Sequence, residues 1–532
     1  MGVVFWLAHS LYRVLYSFIH IILAFYHKGK KQIVPPIKYP LLLKSASKLA
    51  EEIREGKVKS EEVVQAYVNR ILEVEPYINA VVQDRFTEAL EEAKEVDKII
   101  SEITYSESFS KQQLADEKPF FGVPFTIKLL IKVKGLPCTA GSKLFEHQIA
   151  EEDAHCVALI KKAGGIILAN TNTPEFGFSL ECFNLLYGQT RNPYDTTRTP
   201  GASSGGEGAL LGAGASVVGV GNDMLGSVRL PAHFCGIFSH KPSKGLVVNS
   251  GSFPVPHPDH LPYIFVGPMC RYSEDLQAVM KVFTEENPIR LKFGQKVDFR
   301  NLKIYYSTSI KDFGMLPVDK EIVSSMLKAI SHFTKKYDVA AKKVEIPLIE
   351  RTIETGISRA IAPLSNIVNF ITLGKVDHIN LPLEHLKLLF GKSTFSFPPL
   401  LWIMGNKLLS RFIIGNNPTS QKKYEIILGK LRKELDELLD DENAIFIYPT
   451  HPVPAPYHYE MSTSLPLSWA YTGTFDFTGH PATQCPLGIN KEGLPYGMQI
   501  IGGMNNDPLT IACAAELEKV FGGWIPPKPN NF

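Results

Sequence analysis

A glycine-rich and largely apolar stretch, residues 201–232, contains side chains that could take part in a reaction. Nine of its first 26 residues are glycine, which allows the backbone to approach a ligand closely or to adopt positive φ. Its polar members include Ser203, Ser204, Asp223, Ser227 and Arg229. Polar groups in an apolar run are usually hydrogen-bonded or functional, and a serine becomes a nucleophile when an adjacent base activates it. The stretch therefore predicts serine chemistry.

The first five residues of this stretch fit the pattern of a nucleophile elbow. Residues 201–205 are G-A-S-S-G, which satisfies G-x-S-x-G. An elbow requires a strand before it and a helix after it, but residues 192–200 have the composition of a loop, with Pro193, Asp195 and Pro200. The context therefore disfavours the elbow interpretation.

The whole stretch instead resembles the signature of the amidase signature family of serine hydrolases. Nearly all of the signature's fixed Gly, Ser, Asp, Arg and Pro positions are in register over 32 residues. Further matching pieces occur in the same order along the chain, at residues 122–128 (GVPFTIK), 187–195 (YGQTRNPYD), 240–243 (HKPS), 479–488 (GHPATQCPLG) and 493–499 (GLPYGMQ). The resemblance spans roughly residues 40–526 and is greatest to membrane-bound members of the family.

The resemblance implies a Ser-Ser-Lys triad made of Lys128, Ser203 and Ser227. Ser227 is expected to be the nucleophile and Ser203 to relay the proton to Lys128, with a cis bond between Ala202 and Ser203. Lys128 can act as a base only when it is neutral, and half-neutrality at pH 7 requires its pKa to fall by about 3.4 units from about 10.4. Full burial can produce such a fall, and the flanking residues are apolar. The resemblance implies neither a metal nor an organic cofactor.

The resemblance also implies an oxyanion hole next to the nucleophile. Its expected donors are the backbone amides of Met224, Leu225, Gly226 and Ser227. Removing one such donor typically lowers the rate by about 100- to 1,000-fold.

The same resemblance assigns supporting and substrate-binding residues. Asp223 is expected to pair with Arg229 and to hold the oxyanion loop. Gly177 and Phe178 are expected to bind substrate. Other residues expected near the acyl-binding side are Tyr187, Gly188 and the strip 179–181.

Two positions depart from the family pattern. Leu225 stands inside the expected oxyanion loop where the signature has Gly or Ala, and Leu129 follows the lysine where an acidic residue is common. If the backbone at Leu225 has positive φ, its branched side chain is strained by about 1 kcal/mol or more. A catalytically impaired homologue that binds lipid amides without turnover is therefore an alternative.

The elements that must position these residues follow from hydrophobic periodicity. Helical periodicity is found at residues 47–55, 60–74, 89–100 and 154–163. The second of these is predicted to open with a Ser60 cap. Apolar runs that predict buried strands lie at 124–130, 166–169, 216–220, 302–306, 444–448 and 496–501. The predicted fold class is α/β, the amidase signature fold, with a large mixed twisted β-sheet core surrounded by α-helices.

The N-terminal segment predicts a membrane helix. Residues 3–26 contain no acidic residue, and 24 residues in a helix would reach about 36 Å, enough for a bilayer core of about 30 Å. A flat-lying anchor competes with a single span, because polar residues recur on one stripe of this helix. These polar residues are His9, Arg13, Ser17, His20 and His27.

The charges that follow this segment predict its topology. Lys28, Lys30 and Lys31 come directly after the apolar run, so the positive-inside rule places the body on the cytosolic side. The endoplasmic reticulum and the lipid droplet are candidate membranes. The predicted domains are a membrane anchor at residues 1–34 and a catalytic domain at residues 35–532.

A second apolar stretch lies at residues 395–414. It is rich in aromatic residues, and Lys407 and Arg411 are its only charged members. It predicts either a core helix pair or a membrane-facing cap of the catalytic domain.

Charge and cysteine usage exclude several classes of protein. The chain has 56 Lys+Arg and 54 Asp+Glu, a formal net charge of +2, and so lacks an extended basic field for a nucleic-acid partner. Its seven cysteines are scattered singly, without a C-x-x-C pair, which is typical of a reduced intracellular chain.

These observations predict a membrane-associated serine hydrolase. It is expected to cleave fatty-acid amides, both N-acylethanolamines and primary fatty amides, to the free acid and amine or ammonia through an acyl-serine intermediate. The expected partners are a lipid amide substrate and a membrane, and a homodimer is left open. The alternatives are the impaired homologue and an amidase or amidotransferase-type subunit for small amides.

Overall fold

The computed structural model describes residues 2–105, 111–310, 314–360, 367–376, 378–412 and 418–528, and the side chains of residues 2–8, 103–105, 357, 359, 360, 367, 370 and 406–421 lie outside that description. The helices in these ranges, short 3₁₀ turns aside, are α1 (Gly2–His27), α2 (Ala46–Arg54), α3 (Ser60–Ile78), α4 (Phe86–Tyr105), α5 (Lys111–Glu117), α6 (His155–Lys162), α7 (Gly205–Gly212), α8 (Arg229–Cys235), α9 (Ser273–Phe283), α10 (Lys320–Tyr337), α11 (Thr352–Ala360), α12 (Ile367–Thr372), α13 (Leu381–Leu389), α14 (Phe397–Phe412), α15 (Pro418–Leu438), α16 (Glu460–Thr463), α17 (Ala470–Thr478) and α18 (Asp507–Phe521).

The strands of the described residues are β1 (Val81–Asp84), β2 (Pro124–Lys128), β3 (Ile166–Thr171), β4 (Phe183–Asn184), β5 (Gly188–Gln189), β6 (Val218–Asp223), β7 (Phe238–Lys241), β8 (Phe265–Cys270), β9 (Lys303–Tyr306), β10 (Ala341–Lys343), β11 (Ala444–Pro449), β12 (Ala482–Ile489) and β13 (Pro495–Gly502). Eleven of them form one sheet in the order β1-β3-β2-β6-β8-β7-β12-β13-β11-β9-β10, and β4 pairs with β5 separately.

The large sheet is mixed. Strand β2 runs parallel to β3 and β6, and β9 runs parallel to β10 and β11, while the strands between β6 and β11 pair antiparallel. Helices pack against its strands, including α4 on β3, α9 on β8, and α8 and α18 on β12 and β13. Every residue of β2, β3 and β6 is therefore buried, as their apolar sequences require.

The predicted α/β class, the four predicted helices and the six predicted strands are confirmed, with boundaries that move by up to five residues. Strands β7, β8 and β12 were not predicted. Polar residues interrupt β7, and Pro268 and Pro486 interrupt β8 and β12, so none of the three has the simple apolar pattern of a buried strand.

The predicted Ser60 cap is wrong. The cap position of α3 is Lys59, and Ser60 is already helical, with its hydroxyl donating to the Gly122 carbonyl oxygen at 2.9 Å. The amides of Ser60 and Glu61, at the start of the helix, instead donate to Asp97 of α4 at 2.6 and 3.0 Å. A carboxylate from a neighbouring helix thus accepts the first amides of α3, in place of a capping side chain from the residue before the helix.

Helix α1 lies against the body with the face that carries Tyr12, Tyr16, His20 and His27, whereas Arg13 and Ser17 of the predicted polar stripe are exposed. The Tyr12 hydroxyl donates to the Ser464 carbonyl oxygen at 2.6 Å, and His20 Nδ1 lies 2.7 Å from Glu460 Oε1. The opposite, outward face of α1 is apolar and exposed. Its described members are Leu11, Val14, Leu15, Phe18, Ile21, Ile22, Phe25 and Tyr26.

The prediction that α1 spans a membrane is not supported. Among the helices of the described residues, none is both long and apolar enough to cross a bilayer. The first residues of the predicted anchor, 1–8, lie outside the described side chains.

Most of the predicted stretch at 395–414 forms α14, and residues 413–414 lie outside the described residues. The helix is not uniformly buried. Leu400 and Ile403 are fully buried, whereas Phe397 and Leu401 are exposed by 46% and 38%. The described part thus packs one face in the core and turns another outward.

Candidate active site

Lys128 lies at the C-terminal end of β2 and is fully buried. Its Nζ lies 2.6 Å from Ser203 Oγ, 2.6 Å from Asn222 Oδ1 and 3.3 Å from the Asn222 carbonyl oxygen. Asn222 belongs to β6, and Ser203 lies in the loop before α7. The parallel pairing of β2 with β6 therefore brings the lysine to both partners.

Burial lowers the pKa of Lys128 to about 7, because desolvation outweighs the nearby Asp223, Cys182 and Glu207, which act to raise it. Burial also raises the pKa of Glu207 to about 8. This carboxyl is therefore mostly protonated at pH 7 and stabilises the charged lysine little. A large fraction of Lys128 is neutral at that pH, as a base requires.

Asn222 accepts hydrogen bonds from the Lys128 amine. A neutral amine has two N–H groups and one lone pair, and Asn222 presents two acceptors, its side-chain and backbone oxygens. When both N–H groups of Lys128 donate to Asn222, the lone pair is directed at Ser203 Oγ. Asn222 therefore orients the amine to accept a proton from the serine.

Ser203 and Ser227 line the same cavity. The Ala202–Ser203 bond is cis, as the resemblance implies. The Ser227 hydroxyl donates to the Met224 carbonyl oxygen at 3.2 Å, and the Ser204 amide donates to the Ser227 carbonyl oxygen at 3.1 Å. The two serine-bearing loops are thus joined through their backbones.

The predicted pair of Asp223 and Arg229 is present and fully buried. Arg229 Nε donates to Asp223 at 3.0 Å, and Arg229 Nη2 donates to Asp476 at 2.8 Å. Although burial acts to raise the pKa of Asp223, the guanidinium outweighs it and holds that pKa below its ordinary value. Asp223 also accepts the amides of Gly226 and Val228 at 2.6 and 3.1 Å. One ion-pair cluster therefore fixes the loop that carries Ser227.

Leu225 has a φ of 70°, in the left-handed region that favours glycine. Its amide donates to Asp476 at 2.9 Å, and its carbonyl oxygen accepts from the Thr472 hydroxyl at 2.7 Å. A Cβ at Gly473 would lie 3.1 Å from Leu225 Cδ2 and 2.8 Å from the Trp469 ring, so this glycine leaves room for the leucine. Neighbouring contacts therefore hold the strained backbone in place.

The predicted oxyanion loop has fewer backbone amides available to bind an oxyanion than expected. The amides of Leu225 and Gly226 already donate to Asp476 and Asp223. Two of the four amides expected in an oxyanion hole are therefore used to shape the loop.

The cavity beside Ser203 and Ser227 has a volume of about 390 Å³. Its apolar lining residues include Leu130, Phe176, Phe178, Leu180, Phe253, Ile264, Ile371, Leu401, Trp402, Leu467 and Trp469. Phe178 stacks on Trp402 of α14, with ring centroids 4.9 Å apart. The catalytic candidates thus open onto an apolar cavity.

The predicted substrate-binding residues Gly177 and Phe178 both line this cavity. Tyr187 and Gly188 are not among its described lining residues. The Tyr187 hydroxyl lies 3.1 Å from that of Thr139, and Gly188 belongs to β5. Within the described part of the chain, no group of three or more His, Cys, Asp and Glu residues could hold a metal ion.

Sequence reasoning missed Asn222 and Asp476. Each is a polar residue in a largely apolar run, at GVGND and GTFDF, which is the signal that singled out Ser203 and Ser227. Leu129 is fully buried, and its amide donates to the Thr171 carbonyl oxygen at 3.0 Å, so an apolar side chain suits its surroundings.

The chain matches the family described as Amidase over residues 62–511 and belongs to that family. It is an amide-hydrolysing enzyme. Fatty-acid amide hydrolase 2 of Homo sapiens is 40% identical over 500 residues, which cover 92% of each chain. Fatty-acid amide hydrolase 2-B of Danio rerio is 38% identical over 504 residues, covering 93% of this chain and 92% of that one.

Solved structures show the same fold. A fatty acid amide hydrolase superposes with a TM-score of 0.72 at 19% identity, covering 91% of this chain and 86% of that one. A bacterial aryl acylamidase of the amidase signature family superposes with a TM-score of 0.71 at 23% identity, covering 90% and 97%. The predicted amidase signature fold is confirmed.

Proposed function

We propose that this enzyme is a serine hydrolase of fatty-acid amides, with Ser227 as nucleophile, Ser203 as proton relay and Lys128 as base. One observation carries the proposal: a buried lysine with a pKa near 7 contacts Ser203 at the end of an apolar cavity that also contains Ser227. The expected products are a free fatty acid and an amine or ammonia.

In the proposed reaction, the Ser227 hydroxyl turns from the Met224 carbonyl toward Ser203. Its oxygen attacks the amide carbonyl carbon while its proton passes to Ser203, whose own proton passes to Lys128. The tetrahedral intermediate then breaks its C–N bond, and the leaving nitrogen takes the proton from Lys128 through Ser203. Water attacks the acyl-Ser227 ester by the same proton route and releases the acid.

The negative oxygen of the intermediate needs donors that have no other partner. The amides of Met224 and Ser227 have no recorded acceptor among the described residues. We assign these two as the oxyanion donors, while Leu225 and Gly226 hold the loop in shape through Asp476 and Asp223.

The cavity supports a long acyl chain over a small amide. Each buried methylene contributes about 0.8 kcal/mol, equivalent to about a fourfold gain in binding. A small amide would leave most of the apolar wall unfilled. The small-amide alternative is therefore disfavoured by the lining of the cavity.

A membrane surface fits two apolar faces of the molecule. One is the outward face of α1, which ends beside the exposed Lys28 and Lys30, cations that suit anionic lipid headgroups. The other is on α13 and α14, where Leu389 at the end of α13 and Phe390 directly after it are exposed by 82% and 71%. Leu401 and Trp402 of α14 also line the cavity. A lipid chain could therefore enter from the membrane side.

The proposal keeps an anchor at residues 1–34 and a catalytic body at 35–532 that faces the cytosol. Helix α1 lies flat on the lipid surface, with its apolar side in the membrane and the side that carries Tyr12 and His20 on the body.

A fluorophosphonate probe tests the nucleophile. Wild-type protein in detergent should be labelled, and Ser227→Ala should not be, with both equally folded by circular dichroism. Persistent labelling of Ser227→Ala would assign the nucleophile to another residue. Absence of labelling in folded wild type would favour the impaired homologue.

Chain-length dependence tests the substrate class. Oleamide should be hydrolysed with a kcat/KM at least 100-fold above that of propionamide, because many more methylenes enter the cavity. Equal rates would contradict the long-chain assignment.

A further inference from the structure

One short segment forms part of the cavity wall. This segment, residues 457–467, is called the wall segment; it includes α16 and contributes Ser462, Pro466 and Leu467 to the lining. Tyr459 within it has a φ of 75°, which a non-glycine residue adopts only when other contacts hold it.

Helix α1 supplies such contacts from outside. Its Tyr12 hydroxyl donates to the carbonyl oxygen of Ser464, 2.6 Å away. Its His20 ring lies 2.7 Å from Glu460, whose side chain is fully buried. Both partners on the body belong to the wall segment.

The end of α1 contacts the start of the wall segment. The ring of His27 stacks on Tyr457, with centroids 5.5 Å apart and planes 4° apart. The Tyr457 ring also contacts the His20 ring, with centroids 5.3 Å apart, and the Arg198 guanidinium, which lies 3.8 Å from its centroid.

Two carboxylates hold the backbone of the wall segment, Glu460 from within the segment and Glu181 from the body. Glu460 uses one oxygen for His20 and the other for the amide of Tyr457, at 2.9 Å. Glu181 accepts the amide of Tyr459 at 2.7 Å and directly follows Leu180, which also lines the cavity. The wall segment is thus held between α1 and the cavity.

We propose that Tyr12 and His20 of α1 are positioning residues for the part of the cavity that holds the acyl chain. The inference rests on the proposed function and adds that the lipid-contacting helix and the substrate cavity are mechanically joined through the wall segment. The wall segment contains none of Lys128, Ser203 and Ser227. Loss of the α1 contacts should therefore weaken binding of long chains without changing the chemistry at Ser227.

Three variants of the full chain in detergent test this inference. Tyr12→Phe removes one hydroxyl, His20→Ala removes one partner of Glu460, and His20→Gln keeps a donor for it. The first two should speed hydrogen exchange in residues 459–467 by about 2- to 10-fold. They should raise KM for oleamide by a similar factor, leave kcat unchanged and leave propionamide hydrolysis unchanged. His20→Gln should recover part of both effects.

Tyr39→Phe is the matched control, because Tyr39 is 61% exposed and lies outside both α1 and the wall segment. It should match wild type in exchange and in KM. Unchanged exchange in Tyr12→Phe and His20→Ala would overturn the inference, as would an equal rise in KM for both amides. If wild type neither turns over amides nor reacts with fluorophosphonate, the proposed function fails, and the exchange rates alone still decide whether α1 holds the wall segment.

Discussion

The ion-pair cluster around Arg229 and the outward face of α1 differ in how their side chains meet solvent. The cluster buries charged side chains, whereas the face of α1 exposes apolar ones. Arg229, Asp223 and Asp476 are all fully buried, and each has several partners within the protein. On α1, Phe18 and Phe25 are apolar and yet exposed by 60% and 78%. This chain thus fixes the loop of its candidate nucleophile by pairing buried charges, whereas the apolar face of α1 is exposed and, in the proposed function, contacts lipid.

The largest expected effect separates two buried lysines. Lys128→Met should lower kcat/KM by about 100- to 10,000-fold, because the base is lost, and the protein should stay folded since an apolar side chain suits the buried site. Lys241 is equally buried and its pKa is also lowered to about 7, but it donates to the Pro242 carbonyl oxygen. Lys241→Met should therefore keep most of the activity. Turnover of oleamide and thermal unfolding measure both variants.

If the two lysine variants lost activity equally, the loss would reflect disturbance of the buried interior. The assignment of Lys128 as the base would then fail.

The next effect concerns stability of the ion-pair cluster. Arg229→Met leaves Asp223 and Asp476 buried without their cation and should lower the free energy of unfolding by about 3–5 kcal/mol. Arg300 pairs with Asp298 at 2.7 Å, but its side chain is 76% exposed, so Arg300→Met should leave that free energy nearly unchanged. Urea denaturation measures the difference. Similar values for both variants would remove the contrast between the buried cluster and the surface.

The pH dependence of kcat/KM should show the titration of Lys128. Since its pKa is about 7 and only the neutral amine accepts a proton, kcat/KM should fall about tenfold per pH unit below 7 and level off above it. Glu207→Gln should leave this acid limb in place, because the protonated Glu207 carries no charge there. A profile that is flat from pH 5 to 8 would show that Lys128 is not the base.

The smallest expected effect lies on the exposed side of the comparison. Phe18→Ser and Phe25→Ser should each weaken binding to vesicles of anionic phospholipid by about tenfold, and neither should change the unfolding midpoint. Leu72→Ser is the control, since Leu72 on α3 is 60% exposed but lies outside the proposed lipid face. Sedimentation with vesicles measures the affinities. An equal loss of vesicle binding in all three variants would contradict the proposal that the outward face of α1 contacts lipid.

Much of the active site could be predicted because it is local in sequence. Ser203, Asp223, Ser227 and Arg229 lie within one stretch. The resemblance of that stretch to the family signature aligned each of them with a fixed position of the signature. The burial of Lys128 followed from apolar neighbours on a central strand.

The rest depends on contacts between distant residues. The amide of Leu225 is bonded by Asp476, 251 positions away, and Tyr12 of α1 is bonded to Ser464, 452 positions away. Periodicity predicted that α1 has a polar stripe, but a stripe alone does not reveal whether water, lipid headgroups or the protein's own body satisfies it. Only the tertiary structure shows that the body contacts His20 and His27 of this stripe, while Arg13 and Ser17 are exposed.

The docking of α1 also bears on how the enzyme can be prepared. Shortening the chain to begin after His27 would remove an exposed apolar face, which ordinarily improves solubility. It would also uncover part of the cluster that contains Leu316, Met461 and Leu465, against which Tyr12 and Tyr16 pack. The shortened protein would lose the exposed apolar face of α1 but expose the apolar cluster beneath that helix. It would also leave the buried Glu460 without His20. Replacing outward residues of an intact α1 by polar ones is therefore the sounder route to a soluble sample.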